Sequence, residues 1–214
     1  MRLSETAAEG VAPSGPCRFV LYVEGPRDRD VLRHWGQRLS PDLARSVERC
    51  SVILGGRRPA RAVQHVRELQ TTTDSVRGVC VLDRDDGVTP RDPHPEEPGL
   101  EFYTWRRRHI ESYLLVPDAI RRSLRLPQGD PRIAPLFSQH LPPDGDAAWL
   151  ELNAKRLLAS RGPLAEGLGR PLDPGRIARA MRAAELHRDV LDLFSLVQAG
   201  LAVVEPERRI RRRA

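Results

Sequence analysis

Five acidic side chains stand where an α/β chain presents its chemistry. Glu24 directly follows the apolar run Arg18–Val23 (RFVLYV), and Asp28 comes four residues later, one turn into the next segment. Asp83 and Asp85 follow a second apolar run, GVCVL, in the string LDRDDG. Glu111 lies just after Leu100–Trp105, in HIESYLL. In an open parallel sheet, every segment leaving the carboxyl end of a strand emerges at one rim, where ligands bind. Carboxylates crowded at such a rim repel one another, and a divalent cation relieves the repulsion. Mg²⁺ favours hard oxygen ligands with water in its remaining positions. Two such ions about 4 Å apart can activate a water and stabilise a leaving oxygen in phosphodiester cleavage. Each acid also has a plainer reading. An Asp after a strand is often only the N-cap of the next helix, Glu-Gly is a common turn, and Asp-Arg-Asp-Asp-Gly can be a polar turn with local Asp–Arg pairing. Their joint order and placement favour the shared site.

The elements that must carry these residues are readable from periodicity. Arg18–Val23 is a nearly continuous apolar run, as in a strand covered on both faces. Asp28–Leu39 has helical spacing, with Val31, Leu32, Trp35 and Leu39 on one face. Ser51–Leu54 reads as a second strand closed by Gly55-Gly56, Pro59–Leu69 as a second helix, and Gly78–Leu82 as a third strand. Gly87–Gly99 is a loop rich in Pro, Asp and Glu, Leu100–Trp105 a fourth strand, and His109–Leu115 the start of another helix. Alternating strands and helices imply parallel βαβ units. After about Val116, six prolines up to Pro143 break the chain into short helices. Ala147–Ser160, Pro174–Ala184 and His187–Ala199 then read as helical, with Asp173-Pro174 as N-cap and first helical position. The expected organisation is a lead-in over residues 1–16, a sheet domain over 17–116, a helical lobe packed on it over 117–205, and a basic tail over 206–214.

The strings VEGPRDRDVL, VCVLDRDDG and HIESYLL together resemble the Toprim domain of the overcoming-lysogenization-defect (OLD) family of nucleases. That family shows a Glu-Gly turn with an acid four residues on, a later Asp-x-Asp, and an Ile-Glu-x-Tyr-Leu segment. The likeness runs from about Arg18 to Val116, and continues more loosely through NAKRLL and RIARAM. It implies a Toprim-like, Rossmann-like α/β fold with a mostly parallel sheet flanked by helices and a small C-terminal helical lobe. It implies a nuclease using Mg²⁺ or Mn²⁺, with two ions, on DNA or RNA. Glu24 and Asp28 would hold one ion, Asp83 and Asp85 would contribute to the pair, and Glu111 would complete the second site. Lys155 would stabilise charge on the phosphate. Glu24, Asp83, Glu111 and Lys155 are thus the expected catalytic set. Larger members carry an ABC-type ATPase in the same chain, whereas this chain has no G-x-x-x-x-G-K-[ST] pattern. The likeness is therefore to stand-alone Toprim effectors of anti-phage defence, whose ATPase sensor is a separate chain. A homodimer is one arrangement it allows. The family often has glycine beside its lysine; here Ala154 and Asn153 precede Lys155, which on its own would read as a surface charge.

Arg106, Arg107 and Arg108 stand just before Glu111, either as phosphate contacts from the rim or as a solvated edge. Trp35 and Trp105 fit a core better than base stacking, and Tyr113, in an apolar helix start, fits packing better than nucleophilic attack. The net charge is +6, but Glu207–Ala214 holds five arginines against one glutamate and supplies four of those six charges. Such a tail adds salt-sensitive affinity for phosphates without specificity. Cys17, Cys50 and Cys80 match no zinc or disulfide spacing and read as reduced thiols. No apolar run approaches the roughly 20 residues of a membrane span, and the first residues lack the apolar stretch of a secretory signal. A cytoplasmic protein without a membrane partner is expected. Two other classes compete: a catalytically silent Toprim module that binds nucleic acid or docks on an ATPase, and a haloacid-dehalogenase-like phosphatase. In the latter the Asp-x-Asp follows the first strand, not the third.

Overall fold

The computed structural model describes residues 18–84, 94–143, 145 and 147–204. Cys17, Asp85, the first part of the acidic loop and the basic tail lie outside them. Four strands, β1 (Phe19–Val23), β2 (Ser51–Ile53), β3 (Arg77–Leu82) and β4 (Leu100–Thr104), form one sheet in the order β2-β1-β3-β4. All three pairings are parallel. The chain runs from β1 to one neighbour and then returns to the other side, so the β1/β3 boundary is a topological switch point.

Strand alternation divides the core. Phe19, Leu21 and Val23 of β1 and Val79 and Val81 of β3 join the larger cluster. Val20, Tyr22, Cys80 and Leu82 point the other way, into a smaller one with Ala62, Val63 and Val66 of α3 (Pro59–Gln70). On the larger side lie α1 (Pro26–Leu39) and α2 (Pro41–Cys50). The periodic reading passed over α2, although its signals are ordinary. The Ser40 hydroxyl accepts from the Asp42 N–H, Pro41 opens the helix, and Leu43, Ala44, Val47 and Cys50 are buried.

The second half completes the same core. It contains α4 (Pro117–Ser123), α5 (Ile133–His140), α6 (Ala148–Glu151), α7 (Ala154–Leu157), α8 (Pro163–Leu168), α9 (Pro174–Ala180) and α10 (Arg188–Val204). A 3-10 turn, Ile110–Leu114, replaces the expected α-helical start, and another spans Ala183–Glu185. α10 packs on β1 and β3, so closely that a Cβ on Gly200 would sit 2.4 Å from the Phe19 ring. The single helix expected over Ala147–Ser160 is broken at Leu152-Asn153, because the Asn153 side chain caps a new helix by accepting from the Arg156 N–H at 3.0 Å. Trp35, Trp105 and Tyr113 are core residues. Cys50 and Cys80 are buried. Among the described residues, no helix is long and apolar enough to cross a membrane.

Candidate active site

The acids gather at the switch point, and the backbone explains why. After β1 the chain turns through Glu24-Gly25, and α1 begins at Pro26. The Glu24 carbonyl accepts from the N–H groups of Gly55 and Gly56 at 3.0 and 2.9 Å, which ties the turn after β1 to the turn after β2. Both glycines have positive φ, at 76° and 109°, where a side chain would be strained. The Glu24 side chain crosses to β3, and its Oε1 accepts from the Asp83 N–H at 2.9 Å. Asp28, three residues into α1, accepts from the Gly25 N–H at 2.8 Å through Oδ2. This is a helix-start bond, so the plain N-terminal reading of Asp28 holds alongside its place at the rim.

Asp83 is the hub. Its Oδ1 accepts from the Ile110 N–H at 2.9 Å, which brings the residue before Glu111 against the end of β3. Its Oδ2 accepts from the Lys155 ammonium at 2.6 Å. Its carbonyl accepts from the Arg57 guanidinium. Lys155 reaches this point because α6 is pinned from two sides. The Leu150 carbonyl accepts from the Arg108 N–H at 3.1 Å, and Arg84 donates both to that carbonyl and to Glu151 Oε1. The Asn153 cap then starts α7 with Lys155 facing Asp83. Arg57, Arg84 and Asn153 were not singled out in the sequence as parts of the site. Only Asn153 carried a local signal, as a cap-forming residue three before Arg156.

Charge and burial oppose each other here. Glu111 is only 3% exposed, and its Oε2 finds no hydrogen-bond partner among the described residues. Burial pushes its proton affinity up to about 7; Asp83 and Asp28 add to the rise and Lys155 opposes it. Burial likewise pushes Asp28 up to about 6, with help from Asp83 and against the Gly25 N–H, Lys155 and Arg27. Burial works to lower the Lys155 value, but Asp83, Glu111 and Asp28 together hold it above the usual lysine range. One ammonium thus faces three carboxylates.

Glu24, Asp28, Asp83, Glu111 and Lys155 are therefore brought together at one rim, whereas Asp85 lies outside the described residues. Among those residues, no group of three or more His, Cys, Asp or Glu side chains is clustered to hold an ion. The donor chemistry still fits a hard divalent cation: all the donors are carboxylates, and one buried oxygen is unmatched.

The arginine triplet divides. Arg106 is exposed, with Nε 3.9 Å from Asp189 Oδ1. The Arg107 guanidinium lies 4.3 Å from the Trp149 ring centre and 5.1 Å from that of Tyr113, and donates to the Ser112 carbonyl. Arg108 is half-buried, and its backbone joins β3's exit to α6. The Tyr113 hydroxyl donates to Asp189 Oδ2 at 2.7 Å, and burial holds its proton affinity far above the ordinary value, so it is a packed phenol. No family model, curated protein or solved structure matches this chain.

Proposed function

We propose that this rim is the active site of a divalent-metal-dependent phosphodiesterase that cuts DNA or RNA, a stand-alone Toprim nuclease. The observation that carries this reading is the meeting of Glu24, Asp28, Asp83, Glu111 and Lys155 at the switch point of a parallel sheet. Glu24, Asp28, Asp83 and Glu111 would hold Mg²⁺ or Mn²⁺, with Asp85 as a further donor. When bound, the metal supplies an activated water and a counter-charge for the phosphate. The protein's own part is positioning. Glu24 is fixed by the Asp83 N–H, and Asp83 is fixed by the Ile110 N–H. Lys155 brings a positive charge to the place where phosphate oxygens would sit. Glu111, buried and with an Oε2 that has no hydrogen-bond partner among the described residues, is the group most in need of a cation. An anti-phage role in the cytoplasm, with an ABC-type ATPase as a separate partner, follows from the family resemblance and belongs to the same proposal.

The decisive assay incubates the purified chain with plasmid, single-stranded DNA and total RNA in Mg²⁺, Mn²⁺ or EDTA. Metal-dependent cleavage by wild type, lost in Glu24→Ala and Glu111→Ala, is the expected result. Cleavage by folded Glu24→Ala at the wild-type rate would remove Glu24 from the site.

One observation favours a second reading, a silent module that binds nucleic acid or an ATPase. Lys155 already neutralises Asp83, and no three-carboxylate cluster is closed among the described residues. Calorimetric titration with Mn²⁺ separates the two. The enzyme should bind ions and lose that binding in Glu111→Gln, whereas a silent module should show no carboxylate-dependent heat.

A further inference from the structure

The 3-10 turn that supplies Glu111 to the rim has a second side. There a cleft of about 620 Å³ opens between the turn, α5, the Pro142-Pro143 segment, α6 and His187. That volume lies within the usual range of small-ligand sites. Its walls combine aromatic side chains, Trp149, Phe137 and Tyr113 among them, with the charged or polar Arg107, Glu185 and His187. Three features show that it is built rather than left over. Trp149 is held in place, its Nε1 donating to the Pro143 carbonyl at 3.0 Å while Arg107 stacks on its ring. Ser112 is one of the lining residues, and its hydroxyl, buried behind the wall, has no hydrogen-bond partner among the described residues. His187 packs its ring 5.3 Å from that of Tyr113, and its Nδ1 accepts from the Asp189 N–H at 3.1 Å, which leaves Nε2 as the nitrogen for a ligand.

We propose that this cleft takes an unpaired nucleobase of the nucleic acid cut at the neighbouring rim. Planar aromatic walls suit the face of a base, and base stacking on such walls is tolerant of sequence. A buried hydroxyl and an imidazole nitrogen suit the polar edge of a base. The two sites share one element, since Glu111 of the rim and Ser112 of the cleft are consecutive residues of the same 3-10 turn. The preferred substrate is then single-stranded, or a duplex or folded RNA with an extruded base. The inference rests on the phosphodiesterase reading for the source of the base.

The test uses the full chain and two short oligonucleotides of equal length and charge, one carrying bases and one abasic. Binding is measured by fluorescence anisotropy in EDTA, where nothing is cut. A base-bearing strand should bind about tenfold more tightly than the abasic one, the size expected for one stacked base. Ser112→Ala, which removes one oxygen, should shrink that ratio severalfold and leave abasic binding unchanged. A strand carrying 5-iodouracil should photocrosslink to Trp149, Tyr113, Phe137 or His187. Equal affinity for the two strands, or crosslinks only outside the cleft, would overturn the proposal. A parallel arm in Mn²⁺ keeps the two failures apart. If base-bearing and abasic strands bind alike and both are cut, the cleft assignment fails and the phosphodiesterase stands. If neither is bound nor cut, both fail.

Discussion

Glu111 concentrates the tension of the site: a carboxyl group almost wholly out of water, near two other carboxylates, with one ammonium for relief. The folded chain holds the Glu111 proton up to about 7 where the ordinary value is 4.5. Between those pH values the folded protein carries a proton that the unfolded chain has lost. Stability therefore falls as pH rises through that window and stays lower above it. Asp28 acts with the same sign, between 3.8 and about 6. Glu111→Gln should remove the larger part of this slope and, in EDTA at pH 8, exceed the wild type by up to roughly 2–3 kcal/mol. Urea melts at pH 5 and pH 8 measure it, and an unchanged slope would mean that Glu111 is ionised without cost. Lys155→Met works in the other direction. It leaves Asp83, Asp28 and Glu111 without their shared cation, so the Asp28 and Glu111 values should climb further. Carbon-13 NMR titration of the carboxyl groups reads that shift directly, and the proposed cleavage should drop at least about a hundredfold, the usual worth of one electrostatic contact to a reacting group.

At the scale of elements, the sequence carries the acids better than it carries the lysine. Glu24, Asp83 and Glu111 could be placed together because parallel strands deliver their exits to one rim, a consequence of topology that needs no side-chain detail. Lys155 depends instead on a break that periodicity does not show. The apolar spacing of Ala147–Ser160 suits one helix, yet Asn153 ends that pattern by capping a new start. The α2 helix, by contrast, carries both signals in its sequence, the Ser40-Pro41 start and an apolar stripe of Leu43, Ala44, Val47 and Cys50. Asn153→Ala should lower stability by about 1 kcal/mol, the usual worth of an N-cap. Because α7 carries Lys155, cleavage should fall more than that small loss would suggest, with circular dichroism unchanged. Wild-type cleavage in Asn153→Ala would show that the cap does not govern the lysine.

A core shared by the sheet and the helical lobe predicts that the two unfold as one cooperative unit. The larger cluster runs from Phe19 in β1 to Val204 in α10 and mixes the sheet domain with the helical lobe throughout. Polar bonds cross the same boundary. Trp35 Nε1 donates to Met181 Sδ at 3.1 Å, the Tyr103 hydroxyl to the Asp189 carbonyl at 2.6 Å, and the Tyr113 hydroxyl to Asp189 Oδ2 at 2.7 Å. The composition change near Val116 was legible as a change of architecture, but not as a shared interior, since nothing local in the lobe says which sheet face it covers. α10 alone buries Val190, Leu193, Phe194, Val197 and Val204. At roughly 2 kcal/mol for each buried apolar side chain, those five contribute about 10 kcal/mol of burial that a chain ending at Val116 lacks. A chain ending at Val116 should therefore fail to fold, binding a hydrophobic dye and melting without a transition, while the full chain melts in a single step. The proposed active site is tied to the same result, because Lys155 comes from the lobe and Asp83 from the sheet. A truncated chain that kept a sharp melt would make residues 17–116 a self-standing domain, and the lobe would then be a docked accessory to the rim rather than part of its foundation.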